Sequence, residues 1–130
     1  MNQLVTRLRS QRGASAVEFA LVVPLLLVLL LGIVEFGRVF NAQLQITDAA
    51  RESVRVMAIS KQADSAIATA IEAAPSLNPP LATSNVTVAA NSCTGILDAE
   101  VTISYSVDLI SGLFADVVPL TAKAVMRCGG

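Results

Sequence analysis

The sequence of 130 residues contains no histidine and no tryptophan, and aromatic residues make up only 4% of it. Histidine is the commonest general base near neutral pH and the commonest metal ligand, so two frequent routes to catalysis are missing. The sequence also has no serine-centred nucleophile elbow and no glycine-rich phosphate loop. We therefore expect a protein that is not an enzyme and that holds neither a cofactor nor a metal ion.

Charged residues and cysteines are also few. Asp, Glu, Lys and Arg together make up 15% of the chain, and the formal net charge is -1. A chain with this balance has no basic field for phosphates, so we expect no nucleic-acid partner. The two cysteines, Cys93 and Cys128, are too few for a structural zinc site. In an oxidising compartment they can form one disulfide, and the small size of the chain favours that bond over two free thiols.

The sequence does contain one long hydrophobic run, the uncharged residues 19–34. Together with the small apolar residues before it, the run reaches the roughly 20 residues that a membrane-spanning helix requires. A cleaved signal peptide would need small residues after the run, but the chain continues with Glu35 and Arg38 on either side of Phe36 and Gly37. A run that is apolar on every face also argues against a buried helix of a soluble protein. We therefore predict a transmembrane helix over residues 14–37.

The arginines before the run predict its orientation. Arg7, Arg9 and Arg12 lie in the basic leader, residues 1–13, which contains no acid. Positive charges next to a spanning helix favour the cytoplasmic side of the membrane. We therefore expect a single-pass protein of the cytoplasmic (inner) membrane, with a cytoplasmic N-terminus and everything after the helix exported.

The junction between leader and helix reads RGASAVEF, from Arg12 to Phe19. A carboxylate five residues after a glycine, at the edge of an apolar helix, resembles the processing site of type IV prepilins. The resemblance implies that a membrane peptidase cuts between Gly13 and Ala14 and that Glu18 becomes the fifth residue of the shortened chain, just before Phe19. Glu18 could then neutralise the new ammonium group of a neighbouring subunit and set the register of packed helices. Alternatively, Glu18 simply lies among the lipid headgroups.

Pro24 lies inside the hydrophobic run and lacks the backbone N–H that a helix uses. We expect it to kink the helix, which membrane helices tolerate better than soluble ones. The kink could help helices to pack in an assembly, or it could have no role.

The stretch RGASAVEFALVVPLLLVLLLGIVEFGRVF, residues 12–40, resembles the N-terminal signature of the TadE-like proteins of tight-adherence (Flp) pili. The segments AARESVR at 49–55 and PLTAKAVMR at 119–127 are also similar to that family. The resemblance implies a pseudopilin-like component that organises or initiates the pilus. It also implies a prepilin peptidase, other pilins or pseudopilins and the pilus assembly platform as partners, besides the lipid bilayer. The alternative is a membrane-anchored binding module or adhesin that never enters a pilus.

The residues after the membrane segment have helical periodicity as far as residue 74, and we predict an exported stalk and a second helix over residues 38–74. The stalk has apolar residues at steps of three and four, which predicts one buried stripe. The stripe consists of Phe36, Val39, Phe40, Leu44, Thr47, Ala50, Val54 and Met57. Ser60 is placed to cap the second helix, predicted over residues 61–74. Its predicted inward residues are Ala63, Ile67, Ala70 and Ile71.

Residues 75–130 change to a period of two, which is typical of strands with one buried face. Apolar and polar residues alternate clearly over residues 101–109 and 120–127, and residues 85–90 form a shorter candidate strand. A sheet of three antiparallel strands against a helix is a minimal core. We therefore predict an α+β fold of pilin-like layout, in which a long N-terminal helix packs on a small antiparallel sheet.

Overall fold

The computed structural model describes residues 2–90, 92–94, 98–112 and 115–129, with side chains from residue 13 onward. Within these ranges the chain forms two α-helices, a short 3-10 turn and one three-stranded antiparallel sheet. The elements are α1 (Asn2–Ser60), α2 (Ala63–Ala73), β1 (Val86–Val88), β2 (Asp98–Asp108) and β3 (Val117–Arg127). The predicted α+β class, a long N-terminal helix with a small antiparallel sheet, is confirmed.

The chain divides into two compact units, residues 1–36 and residues 37–130. The described part of the first unit is helical throughout, and α1 continues on both sides of Pro24. From Phe19 to Val34, its large apolar side chains are mostly exposed. Over residues 13–60, α1 contains a window of mean hydropathy 2.8 with no part buried, so by length and composition this helix can cross a membrane.

The second unit has its core between the last turns of α1 and the inner face of the sheet. Side chains of α1 such as Ile46 and Val54 are almost fully buried in one cluster with Val101 and Ile103 of β2. The α1 face in this cluster is rich in small residues, with Ala42, Ala49, Ala50 and Ala58 all buried. Small side chains allow the helix backbone to approach the sheet closely, and this explains how so short a chain fills its core.

The predicted stripe of the stalk was partly wrong. Phe36, Phe40 and Leu44 are 72%, 55% and 50% exposed, whereas Ala50, Val54 and Met57 are buried as predicted. The buried face is turned toward the alanines and Ile46, because the sheet packs against the face with the least bulk. The large apolar residues of the first turns therefore remain on the surface.

The second helix is shorter than predicted. It begins at Ala63 after Gln62, and the Ser60 hydroxyl accepts the Gln62 N–H at 3.2 Å rather than capping the helix itself. Ala70 is buried as predicted, but Ala63 is exposed and Ala66 is buried in its place. Ile67 and Ile71 are half-buried against the core. The helix therefore turns Ala66 rather than Ala63 toward the core.

The buried Ser53 hydroxyl on α1 donates to the Ala66 carbonyl oxygen on α2 at 2.7 Å and joins the two helices. In the sheet, β2 lies between β1 and β3. Val101 faces Ala124 across the β2–β3 ladder, and Val88 faces Val101 across β1–β2. The alternating burial of β2 agrees with the period of two in the sequence. These contacts join α1 to α2 and the three strands to one another.

Candidate functional site

The predicted processing residues lie together on α1. Gly13, Ala14, Glu18 and Phe19 are all helical and exposed, and Phe19 is 70% exposed. Ala14 and Glu18 are four residues apart, so they lie on one helix face at a separation of about 6 Å along the axis. The junction therefore presents a carboxylate one turn beyond the bond that a prepilin peptidase would cut.

Packing does not explain the glycine at position 13. A β-carbon added there would meet no atom within 4 Å, so a larger side chain would fit. Glycine instead weakens a helix by about 1 kcal/mol relative to alanine. Its presence therefore makes local opening of the helix backbone easier at this position.

Glu18 and Glu35 bracket the hydrophobic run, and their surroundings differ. The uncharged residues 19–34 rise by about 24 Å at 1.5 Å per residue, which is less than the hydrocarbon thickness of about 30 Å. At least one of the two carboxylates therefore lies close to the hydrocarbon. Glu35 is buried at 4% exposure, whereas Glu18 is exposed on its helix. Glu18 is therefore exposed on the described part of α1, where a neighbouring molecule can reach it.

The residues predicted to set topology, Arg7, Arg9 and Arg12, have side chains outside the described residues. Pro24 lies six residues after Glu18, and its missing N–H leaves the Ala20 carbonyl without its usual helical donor. Neither the orientation of the helix nor a role for Pro24 is tested by these facts. Both stay predictions.

The two predicted cysteines are brought together. Cys93 and Cys128 form a disulfide with their Cα atoms 5.6 Å apart, so the prediction of this bond is confirmed. The bond ties the end of β3 to the segment after β1. Close by, the Gly129 N–H donates to the Ala58 carbonyl at 3.4 Å. Two connections therefore hold the end of β3 against the rest of the exported unit.

A small cavity was not predicted from the sequence. It has a volume of about 140 Å³. Its lining includes Arg38, Asn41, Gln45, Asn78, Tyr105 and Val107. The Tyr105 hydroxyl donates to the Pro79 carbonyl at 2.7 Å. Burial and the nearby Asp108 raise the pKa of Tyr105, and Arg38 opposes the shift. The alternating pattern marked Tyr105 only as a strand residue, because the cavity depends on loop contacts that no local pattern reveals.

Comparison with known proteins identifies the segment that contains the junction. Residues 13–55 match the TadE-like protein family. The resemblance inferred from the sequence is thereby confirmed for this segment, about a third of the chain. No curated protein and no solved structure matches the chain. The TadE-like segment begins at Gly13 and contains every predicted processing and register residue, whereas α2 and the sheet lie outside it.

Proposed function

We propose that this chain is a membrane-anchored, pseudopilin-like component of a tight-adherence pilus. It is held in the cytoplasmic membrane by α1, with the basic leader in the cytoplasm and the sheet-bearing unit exported. It helps to organise or initiate the pilus through helix packing and contacts of the exported unit, and it catalyses no reaction. The observation that carries the proposal is the TadE-like match over residues 13–55, which begins at the predicted cleavage glycine. The candidate membrane helix, which includes this match, also supports it.

The first step in this proposal is removal of the leader by a prepilin peptidase. The peptidase hydrolyses the peptide bond between Gly13 and Ala14, and Ala14 gains a free ammonium group. Gly13 makes the helix easier to open at this bond, since no packing contact requires a glycine there. Before cleavage no ammonium group exists at this point, so processing switches on the electrostatic interaction that follows.

The second step is assembly through Glu18. An isolated carboxylate at the centre of a membrane helix costs about 2.5–3.5 kcal/mol, and less near the edge. The exposed Glu18 avoids this cost when the ammonium group on Ala14 of an adjacent subunit lies beside it. The pairing requires a defined axial offset between the two helices, and it therefore sets their register. Other pilins or pseudopilins and the assembly platform are the expected neighbours.

The leader test uses the full chain in a strain with an active prepilin peptidase. Mass spectrometry of the purified protein should show Ala14 as its first residue. Gly13→Val should stay uncut, because the larger residue fills the position that the peptidase recognises. Gly32→Val is the matched control, since Gly32 also lies in α1 with no atom within 4 Å of an added β-carbon, and it should be cut normally. Recovery of an uncut wild-type chain would refute processing.

The assembly test replaces Glu18 with glutamine, which keeps the shape and removes the charge. We expect the variant to be cut but to support few or no pili, counted by electron microscopy. Glu72→Gln, on the exposed surface of α2, should leave the pilus number unchanged. Normal piliation by Glu18→Gln would exclude the register role. Normal piliation without the chain, together with lost surface attachment, would favour the membrane-anchored binding module.

A further inference from the structure

The hydrogen bonds of the sheet show which backbone groups of β3 point away from β2. The Ala89 N–H donates to the Glu100 carbonyl at 3.0 Å, so the backbone N–H and C=O groups of even-numbered residues in β2 point toward β1. The backbone groups of odd-numbered residues in β2 therefore point toward β3, where Val101 pairs with Ala124. In an antiparallel ladder the bonded and non-bonded pairs alternate. The N–H and C=O groups of odd-numbered β3 residues consequently point to the open side of the sheet.

Side chains and a proline protect other edge positions of the sheet. Beyond the short strand β1, the Asn85 side chain donates to the Ser104 carbonyl at 2.9 Å and Arg38 donates to the Asp108 carbonyl at 3.5 Å. At the start of β3, Pro119 occupies an edge position and has no N–H to offer. Gln43 of α1 then donates to the Thr121 carbonyl at 3.2 Å. These contacts oppose pairing with another strand.

The last part of β3 has no such protection within the described part of the chain. Lys123, Val125 and Arg127 each direct an N–H and a C=O outward, and no described group is hydrogen-bonded to them there. We call residues 123–127 of β3 the open edge. All three side chains lie on the exposed outer face, where Val125 is 54% exposed, and Met126 on the inner face is 38% exposed. The open edge thus combines unsatisfied backbone groups with uncovered apolar surface.

We propose that the open edge binds an extended segment of a partner protein, which adds a fourth strand to the sheet beside β3. The partner segment alternates an acid, an apolar residue and a second acid on the outer face of the sheet. Its other face is apolar and covers Met126. Backbone hydrogen bonds supply the affinity in such strand addition, and alternate side chains supply the specificity.

The charges of the sheet determine the chemistry of this partner. On the outer face β2 carries the acids Asp98 and Glu100, and β3 carries the bases Lys123 and Arg127. Asp98 pairs with Arg127 in the ladder, and Lys123 Nζ lies 2.8 Å from Glu100 Oε1. An added fourth strand with acids opposite the two bases continues the alternation of charge across the sheet. Opposite charges on neighbouring strands stabilise the pair.

The same charges oppose one pairing of two copies of this chain at the open edge. A second copy related by a two-fold axis through Val125 would place Lys123 opposite Arg127 of the other molecule, and like charges directly opposite each other destabilise a pair. A lysine on an edge strand often blocks pairing. Here the Lys123 ammonium, which lies 2.8 Å from Glu100 Oε1, keeps further N–H donors for a partner carboxylate, so this lysine favours an acidic strand.

The test measures binding of a labelled peptide to the full chain in lipid nanodiscs by fluorescence anisotropy. The probe is the capped peptide Ser-Glu-Ile-Val-Ile-Glu-Ser, and the charge control replaces both glutamates with lysine. We expect the acidic probe to bind and the basic probe to bind at least about tenfold more weakly, as loss of one good ion-pair contact would give. Equal binding of both probes, or no binding of the acidic probe, would overturn the proposal.

Matched proline variants test the location. Val125→Pro removes an N–H on the open edge that β2 does not use, and we expect it to weaken probe binding about tenfold. Thr121→Pro makes the same change in the protected half of β3 and should bind like the wild type. Amide hydrogen exchange of the unmodified chain gives a second readout, in which the probe should slow exchange at Lys123, Val125 and Arg127. Unchanged exchange there, or a dimer of the chain that Val125→Pro abolishes, would refute the assignment.

Discussion

Replacing both Cys93 and Cys128 with serine removes the covalent link between the end of β3 and the segment after β1. The bond closes a loop with a sequence separation of 35 residues. For a loop of this length, the chain-entropy relation gives a stabilisation of about 3.8 kcal/mol at 25 °C. We therefore expect the free energy of unfolding of the exported unit to fall by about this amount, which is a large share of the ~5–15 kcal/mol typical of a domain.

Tyr105 provides the signal for this measurement. It is the single tyrosine in a chain without tryptophan, and it lies on β2 at 5% exposure. Urea unfolding of the full chain in detergent micelles can therefore be followed by Tyr105 fluorescence, which reports on the sheet. With a urea dependence of about 1–3 kcal/mol per molar, the midpoint should fall by about 1–4 M.

Two further samples separate loss of the bond from side-chain effects. The single variant Cys128→Ser and the wild-type chain in dithiothreitol should both lose as much stability as the double variant. If all three samples lose less than about 1 kcal/mol, the hydrogen bond from Gly129 to Ala58 and the ladder already hold the end of β3, and the loop-entropy reasoning is wrong here.

Two other predictions use the same urea measurement. Ser53→Ala should lower the free energy of unfolding by about 1 kcal/mol, because it removes the buried bond to the Ala66 carbonyl, whereas Ser65→Ala, whose bond is exposed, should change it little. Equal effects would contradict the role given to Ser53. Burial and Asp108 raise the pKa of Tyr105 above its ordinary value of 10.0. The contribution of the protonated phenol to the free energy of unfolding is therefore complete below pH 10 and is lost as pH rises further. Tyr105→Phe should remove that part of the alkaline loss, and an unchanged pH profile would refute the assignment.

The strands could be predicted because their signal is local. Residues 101–107 alternate strictly, and the buried side chains within this range are the apolar ones. The short β1 was also found, although only Val86–Val88 of the predicted residues 85–90 pair with β2. β2 begins earlier than predicted, since Asp98–Glu100 also pair with β3, and the buried Ala99 between these two acids continues the alternation.

The buried face of α1 could not be predicted, because two faces of this helix satisfy the same period. One face carries Phe36, Phe40 and Leu44, and the other carries Ala42, Ile46 and Ala49. Size favoured the first face, but the sheet packs on the second, where small side chains allow close approach. The choice depends on the shape of the sheet, which is distant in sequence. The same dependence explains why Ala66 rather than Ala63 reaches the core from α2.

Some features of the candidate site could be predicted from the sequence, and others could not. The disulfide was predictable, since two cysteines beyond a membrane segment leave one pairing. The roles of Gly13 and Glu18 were inferred from a resemblance to a family. Both residues are exposed on α1, and their roles stay predictions. The open edge at residues 123–127 was not predicted, because it depends on which side of β3 faces β2. That direction follows from ladder hydrogen bonds and not from the sequence pattern.

The bonds made by Asn85 have a practical consequence for producing this protein. Asn85, Val86 and Thr87 form the triplet that eukaryotic cells use for N-linked sugars. The amide oxygen of Asn85 already accepts the Ala82 N–H at 2.9 Å, and its nitrogen donates to Ser104. A glycan added during secretion from yeast or mammalian cells would be attached to the same side-chain nitrogen that donates to the Ser104 carbonyl of β2. Bacterial expression, or replacement of Thr87 by alanine, avoids this conflict.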